Sequence, residues 1–262
     1  MNFDLPTGVA GLFVGAVVGL TGVGGGALMT PILVLLFGVA PTTAVGTDLL
    51  YACVTKMFGT AVHHQHGSVD WQVVRRLACG SLPAAALTLL WMHLSGVDHL
   101  KGGVVVFTLG LALLVTSLGI LFKEPLHAFG TRLRLADSER FKTWQPALTV
   151  VAGVFLGAMV TLTSVGAGAL GTAMLVYLYP LRLGGGKLVG TDLAHAIPLT
   201  LIAGMGHLAL GTVDLHLMLN LLAGSIPGVL AGSLISARAP VKVIRFAIAL
   251  VLLFVAWKMV TH

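Results

Sequence analysis

The sequence predicts an all-helical polytopic membrane protein, folded as a single membrane domain from two inverted repeats. Three observations predict this class. First, charged residues make up 9% of the 262 residues and hydrophobic residues 57%, and the mean hydropathy is +1.00. A soluble domain has about 25% charged residues, because its surface must face water. The second observation is a duplicated sequence pattern, and the third is a break within the first apolar segment of each copy.

The composition excludes several classes of protein. A soluble enzyme and a disordered chain both need many more polar residues, and the strands of an outer-membrane barrel would alternate polar and apolar side chains. The formal net charge of +6 would suit nucleic-acid binding. The basic residues, however, lie in short stretches between apolar segments, as they do at one face of a membrane. We therefore expect the lipid bilayer as a partner and no nucleic acid.

Two copies of one unit fill the chain. Residues 11–39 and 153–181 are identical at 16 of 29 positions. After a two-residue shift, the Gly-Thr-Asp-Leu motif at residues 46–49 returns at residues 190–193. The resulting division of residues 1–262 is repeat one (7–122), a polar cytoplasmic linker (123–145) and repeat two (147–260).

Each repeat has four apolar segments, and three of them are long enough to cross a hydrocarbon core of about 30 Å as tilted helices. These crossing segments are predicted at residues 42–62, 77–94, 102–122, 187–206, 216–235 and 243–260. The first segment of each repeat, residues 7–37 or 147–180, is cut in its middle by a glycine-rich run. Each half would then have about 12 residues, or about 18 Å of helix, which reaches the middle of the bilayer.

A cut segment can follow two paths. A kinked full crossing gives four crossings per repeat and parallel repeats, whereas a re-entrant hairpin gives three crossings and an inverted second repeat. Apart from Lys56, the chain has 14 Lys and Arg residues, which divide 8 against 6 in the parallel arrangement and 12 against 2 in the inverted one. Cytoplasmic loops carry the excess of positive charge. We therefore predict inverted repeats with two re-entrant hairpins in the cytoplasmic (inner) membrane, with both termini outside and loops 63–76, 123–145 and 236–242 in the cytoplasm.

The two cuts predict a binding site for a small anion. The second half of each hairpin would begin at mid-membrane, where its first amides lack helical partners and carry partial positive charge. Glycines let the backbone approach a ligand, and two converging helix ends suit an oxyanion. The alternative is that the glycines only permit tight helix packing. The predicted substrate-binding residues are Thr21, Gly22, Gly24, Gly25, Gly26, Thr163, Ser164, Gly166, Gly168 and Lys56.

Three charged residues lie well inside the predicted crossings, away from their ends: Asp48, Lys56 and Asp192. Helix rise puts Lys56 and Asp192 at a similar depth, each about 9 Å from the cytoplasmic face, so we expect them to pair directly or through water. Asp48 and Asp192 could carry a proton, assisted by Tyr51 and His195 one turn further on. Two alternatives remain: the Lys–Asp pair only holds two helices together, and Asp48 is a helix-start residue that reaches outer water.

A metal centre and a cofactor site are not expected. His63, His64 and His66 lie close together at a predicted helix end, but no cysteine or carboxylate at a suitable spacing completes a ligand set. We also predict no catalytic residues.

The assembled motifs resemble the TauE/SafE family of sulfite and organosulfur-compound permeases. The resemblance rests on the doubled glycine-rich opening, on the Gly-Thr-Asp-Leu motifs that contain Asp48 and Asp192, and on the turns Gly-Ser-Val-Asp70 and Gly-Thr-Val-Asp214. It spans nearly the whole chain. It implies the movement of small sulfur-containing anions such as sulfite, thiosulfate or sulfonates.

The sequence thus predicts a secondary transporter for a small, sulfur-containing anion, working by alternating access, with proton coupling left open. No Gly-x-x-x-x-Gly-Lys-Ser/Thr loop for ATP is present in the sequence, so a gradient or a partner would drive transport. One alternative is a passive anion channel. A second is an intramembrane hydrolase that uses Asp48 and Asp192 as a pair, although helix rise puts these residues near opposite faces.

Overall fold

The computed structural model describes residues 4–21, 26–63, 69–95, 102–136, 138–235 and 241–261. These residues form eleven α-helices and no strand. The helices are α1 (Leu5–Thr21), α2 (Gly26–Leu35), α3 (Pro41–His63), α4 (Trp71–Ser95), α5 (Gly102–Leu121), α6 (Lys123–Ala136), α7 (Ser138–Thr163), α8 (Ala169–Leu178), α9 (Gly185–Ala209), α10 (Leu215–Ile235) and α11 (Val241–Thr261). The predicted all-helical class is confirmed.

Four of the described helices are long and apolar enough to cross a membrane: Trp71–Ser95, Phe141–Thr163, Gly186–Ala209 and Leu215–Ile235. A fifth crossing would combine Val106–Leu121 with Lys123–Arg132, across a bend of 65°. The predicted crossings 42–62 and 243–260 form α3 and α11, of 23 and 21 residues. Large apolar side chains lie exposed on the outside of the bundle, among them Leu234, which is 77% exposed. Such a surface suits lipid, and the chain is a multi-pass membrane protein.

The first helix of each repeat packs against a helix of the other repeat. Helix α1 packs against α10, and α7 packs against α4. A Cβ at Gly11 of α1 would lie 2.2 Å from the carbonyl oxygen of Leu221 in α10, and a Cβ at Gly153 of α7 would lie 2.3 Å from that of Leu77 in α4. Only glycine allows backbones to approach so closely. Gly11 is the repeat equivalent of Gly153, and Leu77 that of Leu221. The contacts are therefore exchanged reciprocally, as in an interface with two-fold symmetry.

The equivalent helices α3 and α9 cross at the centre of the bundle and run in opposite directions. A Cβ at Gly204 of α9 would lie 2.6 Å from the side chain of Leu50. Further along α3, the Cys53 thiol lies 3.8 Å from the carbonyl oxygen of Ile197, so residue numbers rise along α3 as they fall along α9. Equivalent helices of inverted repeats run in opposite directions, so this packing agrees with the predicted inversion, which itself stays a prediction. The orientation of the repeats in the bilayer stays a prediction.

Repeat two contains a helical hairpin built from α7 and α8. The chain leaves α7 at Thr163, turns through residues 164–168 and returns along α8. The side-chain amide of Gln145 donates to the carbonyl oxygen of Leu178, and the hydroxyls of Thr149 and Tyr179 lie 2.8 Å apart. The end of α8 therefore lies beside the early part of α7, as a hairpin requires.

The predicted arm lengths of this hairpin are only half right. The second arm, α8, has 10 residues, or about 15 Å of helix, close to the expected length of about 18 Å. The first arm, α7, has 26 residues rather than about half that number. The sequence predicts that this arm begins at the first apolar residue. The helix instead begins at Ser138 and includes the polar stretch before the apolar segment. Polar side chains are compatible with helical structure, so hydropathy does not mark the start of the helix.

Hairpin one has the same order of elements, with α1 of 17 residues followed by α2 of 10 residues. Its turn, residues 22–25, lies outside the described residues. The predicted linker 123–145 is itself mostly helical, because it holds α6 and the start of α7. The ring of Phe129 in α6 stacks on Tyr177 at 6.2 Å between centroids. Through this contact, α6 packs against the end of α8 in hairpin two.

Candidate functional site

The centre of the site is Lys56, a buried lysine on α3. Its side chain is reduced to 2% exposure, and its ammonium donates to the carbonyl oxygen of Ala167 in the turn of hairpin two. The charges of Asp192 in α9 and of Asp48 both act on it. The structure therefore brings the predicted pair, Lys56 and Asp192, into one charge cluster at this turn.

Asp192 lies against the start of α8. A Cβ at Gly171 would lie 2.4 Å from Asp192 Oδ1, so the absence of a side chain at residue 171 makes room for the carboxylate. Asp192 is 3% exposed. A buried carboxylate needs a compensating charge or donors, and Lys56 is the first of the charges that act on it.

Asp48 occupies the same face of α3 as Lys56, two turns away, about 12 Å along the helix axis. It is fully buried, and its Oδ2 accepts a hydrogen bond of 2.5 Å from the hydroxyl of Thr30 in α2. Its Oδ1 has no hydrogen-bond partner among the described residues. The hydroxyl of Ser164 lies within interaction range of the Asp48 carboxyl, but it too forms no hydrogen bond in the described part of the chain.

The turn of hairpin two has a backbone that favours glycine. Gly166 and Gly168 have φ angles of 106° and 141°, and Ser164, at 58°, is the non-glycine residue with positive φ in the described chain. Gly168 caps α8 without a side-chain hydrogen bond. The hydroxyl of Thr163 accepts from the Val165 amide at 3.2 Å. The four predicted residues of this hairpin thus form one turn beside Lys56.

The first amides of α8 complete the polar surface of the turn. The amides of Gly171 and Thr172 reach the carbonyl oxygens of Gly166 and Gly168. Those of Ala169 and Leu170 have no backbone acceptor among the described residues. Such amides carry partial positive charge at a helix N-terminus, so both the lysine and the helix end favour a negative ligand here.

Tyr51 and His195 form matched hydrogen bonds in the two repeats. The Tyr51 hydroxyl donates to Ser225 Oγ of α10 at 2.9 Å, and His195 Nε2 lies 2.7 Å from Ser81 Oγ of α4. Sequence analysis identified the tyrosine and the histidine but not the two serines or Thr30. These polar residues could have been identified because they occur at equivalent positions in both repeats. Ser81 is equivalent to Ser225, and Thr30 is equivalent to Thr172.

A network of ion pairs around Asp70 connects the start of α4 to the loop between α8 and α9 at one end of the bundle. Arg182, in the loop after hairpin two, holds the carboxylate of Asp70 at 2.6 and 2.8 Å, and Lys187 approaches it to 3.5 Å. Burial alone would raise the pKa of Asp70. The hydrogen bonds from Arg182 and the Val73 amide, with the charges of Arg182 and Lys187, outweigh burial and hold the pKa of Asp70 below its usual value.

The opposite end of the bundle has no equivalent network in the described residues. Asp214, the repeat equivalent of Asp70, donates its backbone amide to Thr47 Oγ1 at 3.0 Å, and its carboxylate accepts from the Leu217 amide at 2.9 Å. The matching hydrogen bond from the Asp70 amide to Thr191 is also present, at 2.9 Å. The two ends thus share their backbone contacts and differ in the cations.

Several predicted residues are not placed by this geometry. Gly22, Gly24 and Gly25 lie outside the described residues, as do His64 and His66. Thr21 ends α1 and Gly26 begins α2, but their side chains also lie outside the description. The contribution of hairpin one to an anion site therefore stays a prediction.

Comparison with known proteins gives a consistent result. The family model described as sulfite exporter TauE/SafE matches residues 7–259. The chain is 40% identical to the probable membrane transporter protein YjnA of Bacillus subtilis (strain 168) over 95% of this chain and 97% of that protein. It is 26% identical to the probable membrane transporter protein YdhB of the same organism, over 90% and 91% of the two chains.

A more distant relative is a probable membrane transporter protein of Haemophilus influenzae (strain ATCC 51907 / DSM 11121 / KW20 / Rd), 23% identical over 96% of each chain. No solved structure matches the chain. The family match covers nearly every residue and agrees with the apolar helices. The chain therefore belongs to the sulfite exporter TauE/SafE family and is a multi-pass membrane transporter.

Proposed function

We propose that this transporter moves a small, sulfur-containing anion across the cytoplasmic membrane by alternating access, coupled to protons. The observation that carries the proposal is the position of Lys56. A buried lysine that bonds to the turn of a glycine-broken hairpin, next to the start of α8, gives an anion both a full positive charge and helix amides. The family description names sulfite, and sulfite, thiosulfate and sulfonates share the oxyanion that such a site suits.

The charge of the site supports proton coupling. Two carboxyl groups, of Asp48 and Asp192, accompany the ammonium of Lys56, and Lys123 also acts on Asp192. An anion added to two ionised carboxylates would introduce further negative charge into a region of low dielectric, at high cost in free energy. A proton taken up by one carboxyl removes that cost. Anion binding and proton uptake are therefore expected to occur together.

The arrangement of the helices supports inverted repeats and alternating access. In the inverted arrangement loops 63–76 and 182–187 share the cytoplasmic side, whereas in the parallel arrangement they lie on opposite sides. The contact between Asp70 and Arg182 favours the inverted arrangement. Transporters with inverted repeats bind substrate where broken helices meet, and open alternately to each side.

A binding assay on the purified protein tests the proposal. We expect sulfite, thiosulfate or methanesulfonate to raise the Tm, because a ligand that binds only the folded state stabilises it. Acetate serves as the carboxylate comparison. Replacement of Lys56 with methionine should abolish the shift, whereas the same replacement at exposed Lys258 should preserve it. Equal shifts for the Lys56→Met variant and the wild type would refute the site.

Flux into proteoliposomes separates a transporter from a passive channel. We expect saturable anion uptake that a proton gradient accelerates. An anion current that is driven by voltage and does not change with the proton gradient would instead indicate a channel. The Lys56→Met and Lys258→Met variants again give the matched pair.

A further inference from the structure

Two buried polar atoms near the turn of hairpin two are without partners in the described structure: Asp48 Oδ1 and Ser164 Oγ. The two side chains lie within interaction range of each other, and they are 0% and 2% exposed. An unsatisfied buried group costs about 1–3 kcal/mol. A hydroxyl can donate as well as accept, so Ser164 can pair with Asp48 in either protonation state. The neutral carboxyl, donating from Oδ1 to the serine oxygen, satisfies both atoms and leaves no charge buried.

The other oxygen of Asp48 is already fixed. Its Oδ2 accepts from Thr30, which lies in the second arm of hairpin one, while Ser164 lies in the turn of hairpin two. A neutral Asp48 would therefore bond to both hairpins at once. Asp192 has a different environment, since its carboxylate lies against Gly171 and next to the charge of Lys56.

Asp48 shares the charge of Lys56 with Asp192. Lys56 is the cation that acts on Asp48, but this ammonium bonds to Ala167 and also acts on Asp192, on which Lys123 acts as well. Helices α2 and α5 carry no ionisable residue. The ionisable residues on the helices packed against Asp48 and on α3 itself are Tyr51, Cys53, Lys56 and His63 of α3, Glu139, Arg140 and Lys142 of α7, Lys187, Asp192, His195 and His207 of α9, and His216 of α10.

We propose that Asp48, and not its repeat equivalent Asp192, binds the coupling proton, and that the neutral carboxyl joins the two hairpins by accepting from Thr30 and donating to Ser164. This inference extends the proposed function, and the link between the proton on Asp48 and transport rests on that function. Loss of the proton leaves a buried carboxylate that must share Lys56 with Asp192, which is costly. Deprotonation therefore favours separation of the hairpin turn from α3 and entry of water. Asp192 balances the charge of Lys56 when no anion is bound.

The protonation step can be tested with no anion present. Infrared difference spectra of the purified protein, recorded while the pH is raised, should show loss of the C=O stretching band of one protonated carboxyl. We expect this band to be absent from the Asp48→Asn variant and retained in the Asp192→Asn variant. Asp214→Asn, at an exposed aspartate in the other repeat, is the control and should also retain it. A band that survives in Asp48→Asn, or disappears in Asp192→Asn, overturns the proposal.

A second variant keeps the test valid if Asp48→Asn fails to fold. Ser164→Ala leaves the carboxyl in place but removes the acceptor of its proton, so the band should shift to higher frequency. A band at the wild-type position in Ser164→Ala overturns the proposal.

Binding measured against pH connects the proton to transport. Methanesulfonate is the probe, because its own charge does not change over the range. Wild-type affinity should fall about tenfold per pH unit once Asp48 loses its proton, whereas Asp48→Asn should bind with an affinity independent of pH. An unchanged slope in Asp48→Asn overturns the inference. Failure of every anion to bind, with the infrared band present and lost in Asp48→Asn, would refute the proposed function while leaving Asp48 as a proton site.

Discussion

Lys56 breaks the symmetry of an otherwise duplicated centre. Its repeat equivalent is Thr200, whose hydroxyl is satisfied within its own helix by the carbonyl oxygen of Ala196, at 2.9 Å. The lysine side chain extends out of α3 and reaches Ala167 in the turn of hairpin two. One substitution between repeats thus supplies a cation to a site whose aspartates occur in both copies.

Sequence reading could identify the ionisable residues of this centre but not their hydrogen-bond partners. A charge in an apolar segment is conspicuous and costly, so Lys56 and Asp192 could be paired by depth alone. Thr30 was missed because a threonine in an apolar helix usually bonds to its own backbone. Its bond to Asp48 depends on how α2 packs on α3, and no local pattern encodes that packing.

Gly171 is predicted to matter because of its neighbour rather than its backbone. Replacement with alanine places a methyl group 2.4 Å from Asp192 Oδ1, so the carboxylate must turn away from its position beside Lys56. We expect transport to fall several-fold, with a loss of stability of about 1–3 kcal/mol at most. The matched control is Gly119→Ala in α5, whose new methyl meets Ala173 and Leu170 at an ordinary 3.6 Å. Equal transport by the two variants in proteoliposomes would contradict this role of Gly171.

The turn of hairpin two is the element on which the site depends. The doubled glycine-rich runs predicted both breaks, and a break after Thr163 is observed. Their spacing could not reveal the unequal arms, because hydropathy marks where a helix enters the membrane and not where the helix begins. The start of α7 in polar sequence follows from backbone hydrogen bonding, which is indifferent to that boundary.

Replacement of Gly166 with alanine should strain this turn. Its φ of 106° is rarely adopted by residues with a side chain, and we expect a loss of about 1–3 kcal/mol in the free energy of unfolding. Space is not the cause, since the new methyl would meet Leu170 at 3.5 Å. Gly186→Ala in α9 is the control: it has open space and no positive φ, so its stability should stay the same or rise slightly. Thermal unfolding in detergent compares the two, and equal Tm values would contradict the strain.

At the scale of the whole molecule, reciprocal packing of the repeats holds the bundle together. The sequence predicted the duplication, and the structure shows close packing along Gly11, Gly15 and Gly19. The sequence did not predict the partner helix, since the groove that receives these glycines is formed by α10 of the other repeat. Each repeat thereby completes its core only with the other, so the two are expected to fold as one unit.

The charge network around Asp70 is expected to hold one end of the bundle closed in a pH-dependent manner. Because the pKa of Asp70 is held below its usual value, its contribution to stability is full above the unfolded pKa, about 3.9, and is lost as the pH falls through the lower folded value. Asp70→Asn should therefore lower the Tm at neutral pH. A loss of about 1–3 kcal/mol is expected for hydrogen bonds to a charged group, reduced by salt because the Arg182 side chain is 41% exposed.

The deficit of Asp70→Asn should shrink as the pH falls below about 4. Asp214→Asn, which has no cationic partner within the described chain, should show no comparable deficit at neutral pH. A Tm difference for Asp70→Asn that is constant from neutral to acid pH would contradict the network.

Labelling of single cysteines in intact cells tests the central claim, that two inverted repeats bring a broken helix to Lys56. In a background without Cys53 and Cys79, cysteine is placed at four exposed positions: Ala40, Trp71, Leu181 and Asp214. We predict that a membrane-impermeant maleimide labels residues 40 and 214 from outside, and residues 71 and 181 only after permeabilisation. Labelling of 71 and 181 from opposite sides would show parallel repeats and contradict the account.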